Sequence, residues 1–146
     1  MAYKRKTWHE KMHPGFPCQV VVTQKKFADI PAGASMFVAT PEIVSAYISN
    51  IPFGAFTSLQ QMRKDLAAEH HADYCCPVTS GIFLRIVAEA TWEDIEAGKT
   101  PEEVTPFWRM MDPKSPAAKK LTFGTDLLST MQRKEGIVVL SAKARK

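Results

Sequence analysis

The sequence predicts a mainly helical α+β domain, and three observations predict it. Hydrophobic residues make up 45% of the 146 residues, which is ordinary for a chain with a buried core. Several segments repeat apolar residues at helical spacing behind residues that cap helices. Three shorter runs, CQVVVT, MFVA and IVVL, are rich in residues typical of strands. The length favours one domain, with residues 1–35 as a basic extension packed on residues 36–146.

The first long helix is predicted to begin after Thr40. A threonine suits the N-cap position, and Pro41 suits the first position inside the helix. Apolar residues then recur at helical spacing as far as Ile51. Pro52 and Gly54 end this helix.

Two further helices follow in close succession. Ser58 begins the second one as a capping box, with Gln61 expected to bond back to the cap. Pro77 suits the start of the third, which continues through PVTSGIFLRIVAEA. Two helices joined by a short turn make a candidate helix-turn-helix unit.

The last third of the chain is predicted to hold fewer regular elements. FWRMM, residues 107–111, is predicted to be a strand or extended segment, and KSPAAKKLTFG a loop. A final helix from Thr125 or Asp126 ends at Gly136, and IVVL forms a closing strand. Three helices followed by a loop and a short strand is the order of a winged-helix domain, which is the architecture we expect.

Charge is distributed unevenly along the chain. Residues 1–35 hold six Lys and Arg against two acids (+4), residues 36–104 hold four against ten (−6), and residues 105–146 hold nine against three (+6). Basic patches attract phosphate backbones without reading sequence, so the two basic ends favour a nucleic-acid partner. Solvated lysine-rich ends are the alternative explanation.

The order of several short motifs resembles the DNA-binding domain of the alkylguanine-DNA alkyltransferases and the alkyltransferase-like proteins. NIPFG (50–54) matches an I-P-x-G turn, TSLQQM (57–62) matches T-[ST]-Y-G-Q-[IV], and TPFWRMM (105–111) stands at the active-site segment I-P-C-H-R-V. LLSTMQRKEG (127–136) is similar to the closing L-L-x-x-E-G, with a slightly longer spacing. The resemblance covers about two thirds of the chain.

The reactive residues of that family are replaced here. The family's acceptor cysteine, helped by a neighbouring histidine and a distant glutamate, takes an alkyl group from a flipped guanine. Phe107 stands at the cysteine position and Trp108 at the histidine position. A phenyl ring cannot accept a methyl group by displacement, and an indole is no general base. The resemblance therefore implies a non-enzymatic binder of duplex DNA, without a catalytic residue.

A base pocket is the first part of the predicted site. The family docks a helix in the minor groove and turns a nucleotide out beside the reactive segment. Phe107, Trp108 and Arg109 would form this pocket, since aromatic rings can stack on a flipped base. The alternative is that both rings fill the core and that Arg109 caps a helix or pairs with a carboxylate.

The remaining predicted DNA contacts lie on the two helices and in the basic last third. Pro77 stands at or next to the position of the family's intercalating arginine and could act as an apolar wedge. Thr79 and Ser80 could donate hydrogen bonds to the DNA, and Gly81 would admit a close backbone. The full predicted set of DNA-binding residues is Ser58, Pro77, Thr79, Ser80, Gly81, Arg109, Lys119 and Lys120.

Two other functions remain open from the sequence. Cys75 or Cys76, at the start of a helix that would lower a thiol pKa, could be an alkyl acceptor or redox thiol. Alternatively, the domain could be a winged-helix protein-interaction module. A zinc site at His70, His71, Cys75 and Cys76 is disfavoured, because adjacent cysteines point in divergent directions.

The expected setting of the protein follows from what the sequence lacks. Its longest apolar runs are far shorter than the roughly 20 residues that span a bilayer, and no apolar segment follows the basic N-terminus. Three cysteines do not suggest a disulfide framework. We expect a cytoplasmic monomer without metal or cofactor, whose partners are duplex DNA and a downstream repair protein.

Overall fold

A computed structural model of the chain describes residues 7–137 and residue 139. These residues form a mainly helical α+β structure, as the sequence predicts. The elements, in chain order, are α1 (Trp8–Met12), β1 (Gln19–Val22), β2 (Ser35–Val38), α2 (Pro41–Ser49), α3 (Leu59–Glu69), β3 (Tyr74–Cys75), α4 (Pro77–Glu96), α5 (Pro116–Lys119) and α6 (Asp126–Glu135), with short 3-10 helices at Pro101–Glu103 and Phe107–Arg109. None of the described helices is both long and apolar enough to cross a membrane.

The predicted helix starts are confirmed for α2, α3 and α4. The Thr40 hydroxyl accepts from the Ile43 N–H, and the Ser58 hydroxyl accepts from the Gln61 N–H. The predicted capping box is half formed, because the Gln61 side chain donates forward to Asp65 and not back to the cap. Cys76 takes the N-cap position of α4, with its sulfur accepting from the Thr79 N–H.

The sheet has three strands in the order β1-β2-β3, with β1 antiparallel and β3 parallel to β2. The strand predictions for CQVVVT and MFVA are confirmed, whereas the two-residue strand β3 was not predicted. All three strands precede α4, and the IVVL prediction falls partly outside the described residues, which omit residues 138 and 140.

The core lies between α2, α3, α4 and α6, and the segment at residues 107–111 passes through it. The prediction of a strand for this segment is wrong. Phe107, Trp108, Met110 and Met111 are each at most 2% exposed, so four side chains within five residues all point inward. A strand would send alternate side chains to opposite faces, whereas a 3-10 turn lets them all enter the core.

The predicted loop at residues 114–124 contains the short helix α5. The Ser115 hydroxyl accepts from the Ala118 N–H, and Pro116 is the first residue of the helix. This is the same combination of cap and proline that begins α2. The final helix α6 ends as predicted, with Gly136 in the left-handed conformation at φ 73°.

Candidate nucleic-acid interface

Glu135, the last residue of α6, is the centre of a buried hydrogen-bond network. Its carboxylate accepts from the Trp108 Nε1–H (2.6 Å), from the Arg109 Nε–H (2.9 Å) and Nη2–H (3.2 Å), and from the backbone N–H of Gly54 (2.9 Å). Arg109 also donates from Nη1 to the Ile51 carbonyl at 2.8 Å. Four donated hydrogen bonds match the roughly four lone-pair sites of a carboxylate.

Two opposing effects act on the pKa of Glu135. Burial raises this pKa, whereas the hydrogen bonds from Arg109, Gly54 and Trp108, together with the charge of Arg109, lower it. The lowering effects prevail, so the pKa lies below the ordinary carboxyl value. The group is therefore an ionised carboxylate at neutral pH, paired with a guanidinium.

The predicted base-pocket residues Phe107 and Trp108 lie in the core. Phe107 is 0% and Trp108 1% exposed, and the two rings meet edge to face with centroids 5.5 Å apart. Neither ring offers a free face to a base in this structure. The packing alternative accounts for both, because the 3-10 turn directs them inward between α4 and α6.

Arg109 is held inside the protein as well. Its side chain is 15% exposed, and it makes the ion pair with Glu135 that the sequence left open as an alternative. The Arg109 guanidinium donates to the Glu135 carboxylate and to the Ile51 carbonyl, so it links α6 to the chain just after α2. Arg109 is thus not free to donate to a phosphate as predicted.

A cleft opens immediately after these residues, and we call it the interhelical cleft. It measures about 560 Å³ and lies between the start of α3, the middle of α4 and the chain from Met110 to Ala117. Ser58 and Leu59 line one side, Gly81 and Leu84 another, and Met110 and Met111 the wall that follows the buried rings. Of the TPFWRMM segment, Met110 and Met111 line this cleft, whereas the predicted pocket residues Phe107, Trp108 and Arg109 do not.

The first turn of α4 carries four predicted DNA-binding residues in different settings. Pro77, Thr79 and Gly81 are partly exposed, but the hydroxyl oxygen of Thr79, the predicted donor to DNA, is buried. Ser80 is 0% exposed, and its hydroxyl donates to the Cys76 carbonyl at 2.6 Å, so it cannot contact DNA as predicted. The reason is helical phase, since Ser80 lies on the same face as the core residues Phe83, Leu84 and Val87.

The outward face of α4 carries two apolar residues that the sequence interpretation missed. Val78 and Ile82 are each 51% exposed and stand four residues apart in a helix whose opposite face is buried. The signal that could have found them is the phase set by the core residues Phe83, Leu84 and Val87, which places Val78 and Ile82 opposite. Both are more exposed than Pro77, the predicted apolar wedge.

Lys119 and Lys120, at the end of α5, are exposed, which is compatible with their predicted role. Lys120 also lines a second cleft, of about 450 Å³, which we call the cationic cleft. Trp8 and Lys11 of α1 and Arg85 of α4 are its other large side chains, and none of these three was predicted as a site residue. Their convergence depends on the packing of α1 on α4, which no local pattern reveals.

The two cysteines at the start of α4 are poorly placed for chemistry. Cys75 is 2% and Cys76 4% exposed. Burial is the main influence on the Cys75 thiol, and its pKa is raised despite the hydrogen bond with Ser80. A buried thiol with a raised pKa is a weak nucleophile.

The histidines and cysteines of HHADYCC do not converge on one point. His70 stacks on Phe37 with ring centroids 3.9 Å apart, and His71 is exposed at the end of α3. Across residues 7–137 and 139, no three His, Cys, Asp or Glu side chains come together in a group that could hold a metal ion.

Comparison with protein-family models, with curated proteins and with solved structures finds no match to this chain. The likeness to the alkyltransferases is therefore one of short motifs in order.

Proposed function

We propose that this chain is a non-enzymatic, alkyltransferase-like DNA-binding protein of winged-helix type. In this proposal α3 and α4 form the helix-turn-helix, α4 enters the minor groove, and an alkylated or otherwise weakened base is turned into the interhelical cleft. The complex would act by marking the base for a downstream repair protein.

The interhelical cleft is the observation that carries the proposal. Its volume of about 560 Å³ falls within the usual range of ligand pockets, roughly 300–1,000 Å³. Leu59, Leu84, Met110 and Met111 give it apolar walls, which suit the faces of a turned-out base. Gly81 of α4 lines this cleft, and Val78, exposed one turn earlier on the same helix, could part base steps.

The Glu135 network supports the same proposal from the matched motifs. Gly54 of NIPFG, Trp108 and Arg109 of TPFWRMM, and Glu135 of the closing KEG are far apart in sequence but bond to one another. Three segments that resemble one family in order thus also meet in space. The Trp108 indole, at the position of the family's histidine, bonds to a glutamate but brings no basic nitrogen.

The test is a fluorescence titration with a plain duplex and a duplex carrying one alkylated guanine, at several salt concentrations. We expect tighter binding to the alkylated duplex and a steep fall of affinity with salt. Each phosphate contact contributes roughly 0.9 to the log–log slope, so Lys119→Ala with Lys120→Ala should flatten the slope while the preference for alkylated DNA persists.

A matched control is available for this pair. Lys25 and Lys26 are also adjacent and exposed, but they lie in the turn after β1 and line neither cleft. Lys25→Ala with Lys26→Ala removes the same charge and should leave the slope unchanged. Equal slopes for the two double variants would place Lys119 and Lys120 away from DNA. A wild-type chain that binds neither duplex would contradict the proposal and favour a protein-interaction module.

The proposal also predicts that the chain removes no methyl group from alkylguanine. Phe107 stands at the acceptor position, and Cys75 and Cys76 are buried. Intact mass spectrometry after incubation with methylated duplex should show an unchanged mass. Chemical methylation of the unfolded chain's thiols provides the positive control. One stoichiometric methyl group on any cysteine after incubation would establish the thiol-enzyme alternative instead.

A further inference from the structure

The cationic cleft is lined by three positive side chains, two of which lie over one indole ring. The Lys11 Nζ lies 4.1 Å from the centroid of the Trp8 ring, and the Arg85 guanidinium carbon lies 5.2 Å from it. Lys120 lines the cleft from the end of α5, and Val78 and Ile82 contribute apolar surface. An apolar wall with converging cations suits an anion carried on an organic scaffold.

Acidic side chains do little to neutralise this cluster. Among residues 7–137, no ion pair involves Lys11 or Lys120, and the Arg85 Nε–H has no hydrogen-bond partner. The nearest carboxylate to Arg85 is Glu89 at 3.7 Å, and Glu89 already accepts from the Thr122 backbone N–H at 2.8 Å. Arg85 is thus partly balanced by Glu89, and the positive charge left in the cleft comes mainly from Lys11 and Lys120.

The helix α1 is fixed in position on α4. The Glu93 carboxylate accepts from the backbone N–H groups of Trp8 (3.1 Å) and His9 (3.0 Å), and His9 lies 2.8 Å from Asp94. Thr7 and Glu10 add a capping box at the start of α1. Lys11 is thus presented by a helix that the fold holds against α4.

The two clefts share part of their lining, and we call this shared border the ridge. Gly81, Pro116 and Ala117 line both of them. A Cβ atom built on Gly81 would meet no atom within 4 Å, so packing inside the protein does not explain the glycine there. A glycine on an open ridge allows another backbone to approach closely.

We infer that the cationic cleft holds a backbone phosphate of the strand whose nucleotide enters the interhelical cleft. The strand crosses the ridge at Gly81, and Lys11, Arg85 and Lys120 contact the phosphate beyond it. Residues of the N-terminal segment thereby become part of the DNA-binding surface. This inference rests on the proposed function and adds to it the path of the bound strand.

The experiment is a cycle that pairs a protein change with a DNA change. One methylphosphonate, which removes a single backbone charge, is placed at successive positions on either side of an alkylated guanine. Affinities are measured for the wild type, Lys11→Met, Lys120→Met and the control Lys25→Met. Melting temperatures verify that every variant is folded.

We expect Lys11→Met and Lys120→Met each to reduce the salt slope by roughly 0.9, and Lys25→Met to leave it unchanged. In the wild type, a methylphosphonate at one flanking position should weaken binding severalfold. The same methylphosphonate should weaken the binding of Lys11→Met little further, because this variant has already lost the phosphate contact. Such non-additivity marks a direct pairing.

Two results would overturn the inference, and they are distinguishable. If the wild type prefers alkylated duplex but Lys11→Met behaves like Lys25→Met at every methylphosphonate position, the cationic cleft lies off the strand and the proposed function stands. If the wild type binds no duplex at any salt concentration, the proposed function fails as well.

Discussion

Trp108→Ala is expected to lower the free energy of unfolding by about 3–5 kcal/mol, the range for a tryptophan removed from a core. Trp108 is 1% exposed and packs edge to face on Phe107, so the substitution leaves a cavity that rigid neighbours cannot fill. It also removes a hydrogen bond to the ionised Glu135. Chemical denaturation measures the loss, and binding to plain and alkylated duplex should weaken equally or not at all.

Trp92 offers a matched comparison for this substitution. It is partly exposed and stacks on Phe123 with centroids 4.8 Å apart, so Trp92→Ala should cost clearly less than Trp108→Ala. Similar losses for the two would contradict a central packing role for Trp108. Unchanged stability with lost preference for alkylated DNA would restore Trp108 as a stacking wall.

Glu135→Gln is expected to cost a similar amount, about 3–5 kcal/mol, because it leaves a mostly buried guanidinium without its counter-charge. The amide NH₂ of the glutamine would also face the N–H groups of Trp108 and Arg109, which need an acceptor. Glu69→Gln is the control, since Glu69 is also the last residue of its helix but is exposed. Both changes remove the same unfavourable charge from a helix C-terminus, so their difference isolates the buried pair.

The pH dependence of this loss has a definite sign. The pKa of Glu135 is below its ordinary value of 4.5 in the folded chain, so its contribution to stability is fully present above that ordinary value. The contribution is lost as the pH falls through the lowered folded-state pKa. The gap between wild type and Glu135→Gln should therefore be constant near neutral pH and narrow in acid. A gap that widens on acidification would contradict the ionised pair.

The sequence predicts well those features that short segments decide by themselves. Thr40, Ser58 and Pro77 mark helix starts because a cap or a proline acts within its own turn. Gly136 marks a helix end for the same kind of reason, since the left-handed conformation there is nearly free for glycine. These features place α2, α3, α4 and α6 without knowledge of the tertiary structure.

The candidate site could not be predicted in the same way, because distant residues form it. The 107–111 segment is a 3-10 turn in the core, where α6 holds it through the Gln132 side chain, which donates to the carbonyls of Trp108 and Met111. Nothing within FWRMM indicates that partner. Similarly, Lys11 and Arg85 come together because Glu93 binds the start of α1. Phe107 and Trp108, the rings predicted to line a pocket, are buried together with Met110 and Met111, whereas Val78 and Ile82 of α4 are exposed.

β1 is an edge strand of the sheet, and this affects where the chain can be truncated without harm. A strand at a sheet margin carries unpaired backbone groups and invites pairing with another molecule, and nearby lysines discourage it. β1 is short and is followed within four residues by Lys25 and Lys26, whereas β2 holds Met36, Phe37 and Val38 with no charge. A truncation at residue 35 would remove β1 and make β2 an edge strand. β2 is apolar and is not closely followed by lysines. We therefore expect a fragment that lacks residues 1–35 to aggregate more readily than the full chain.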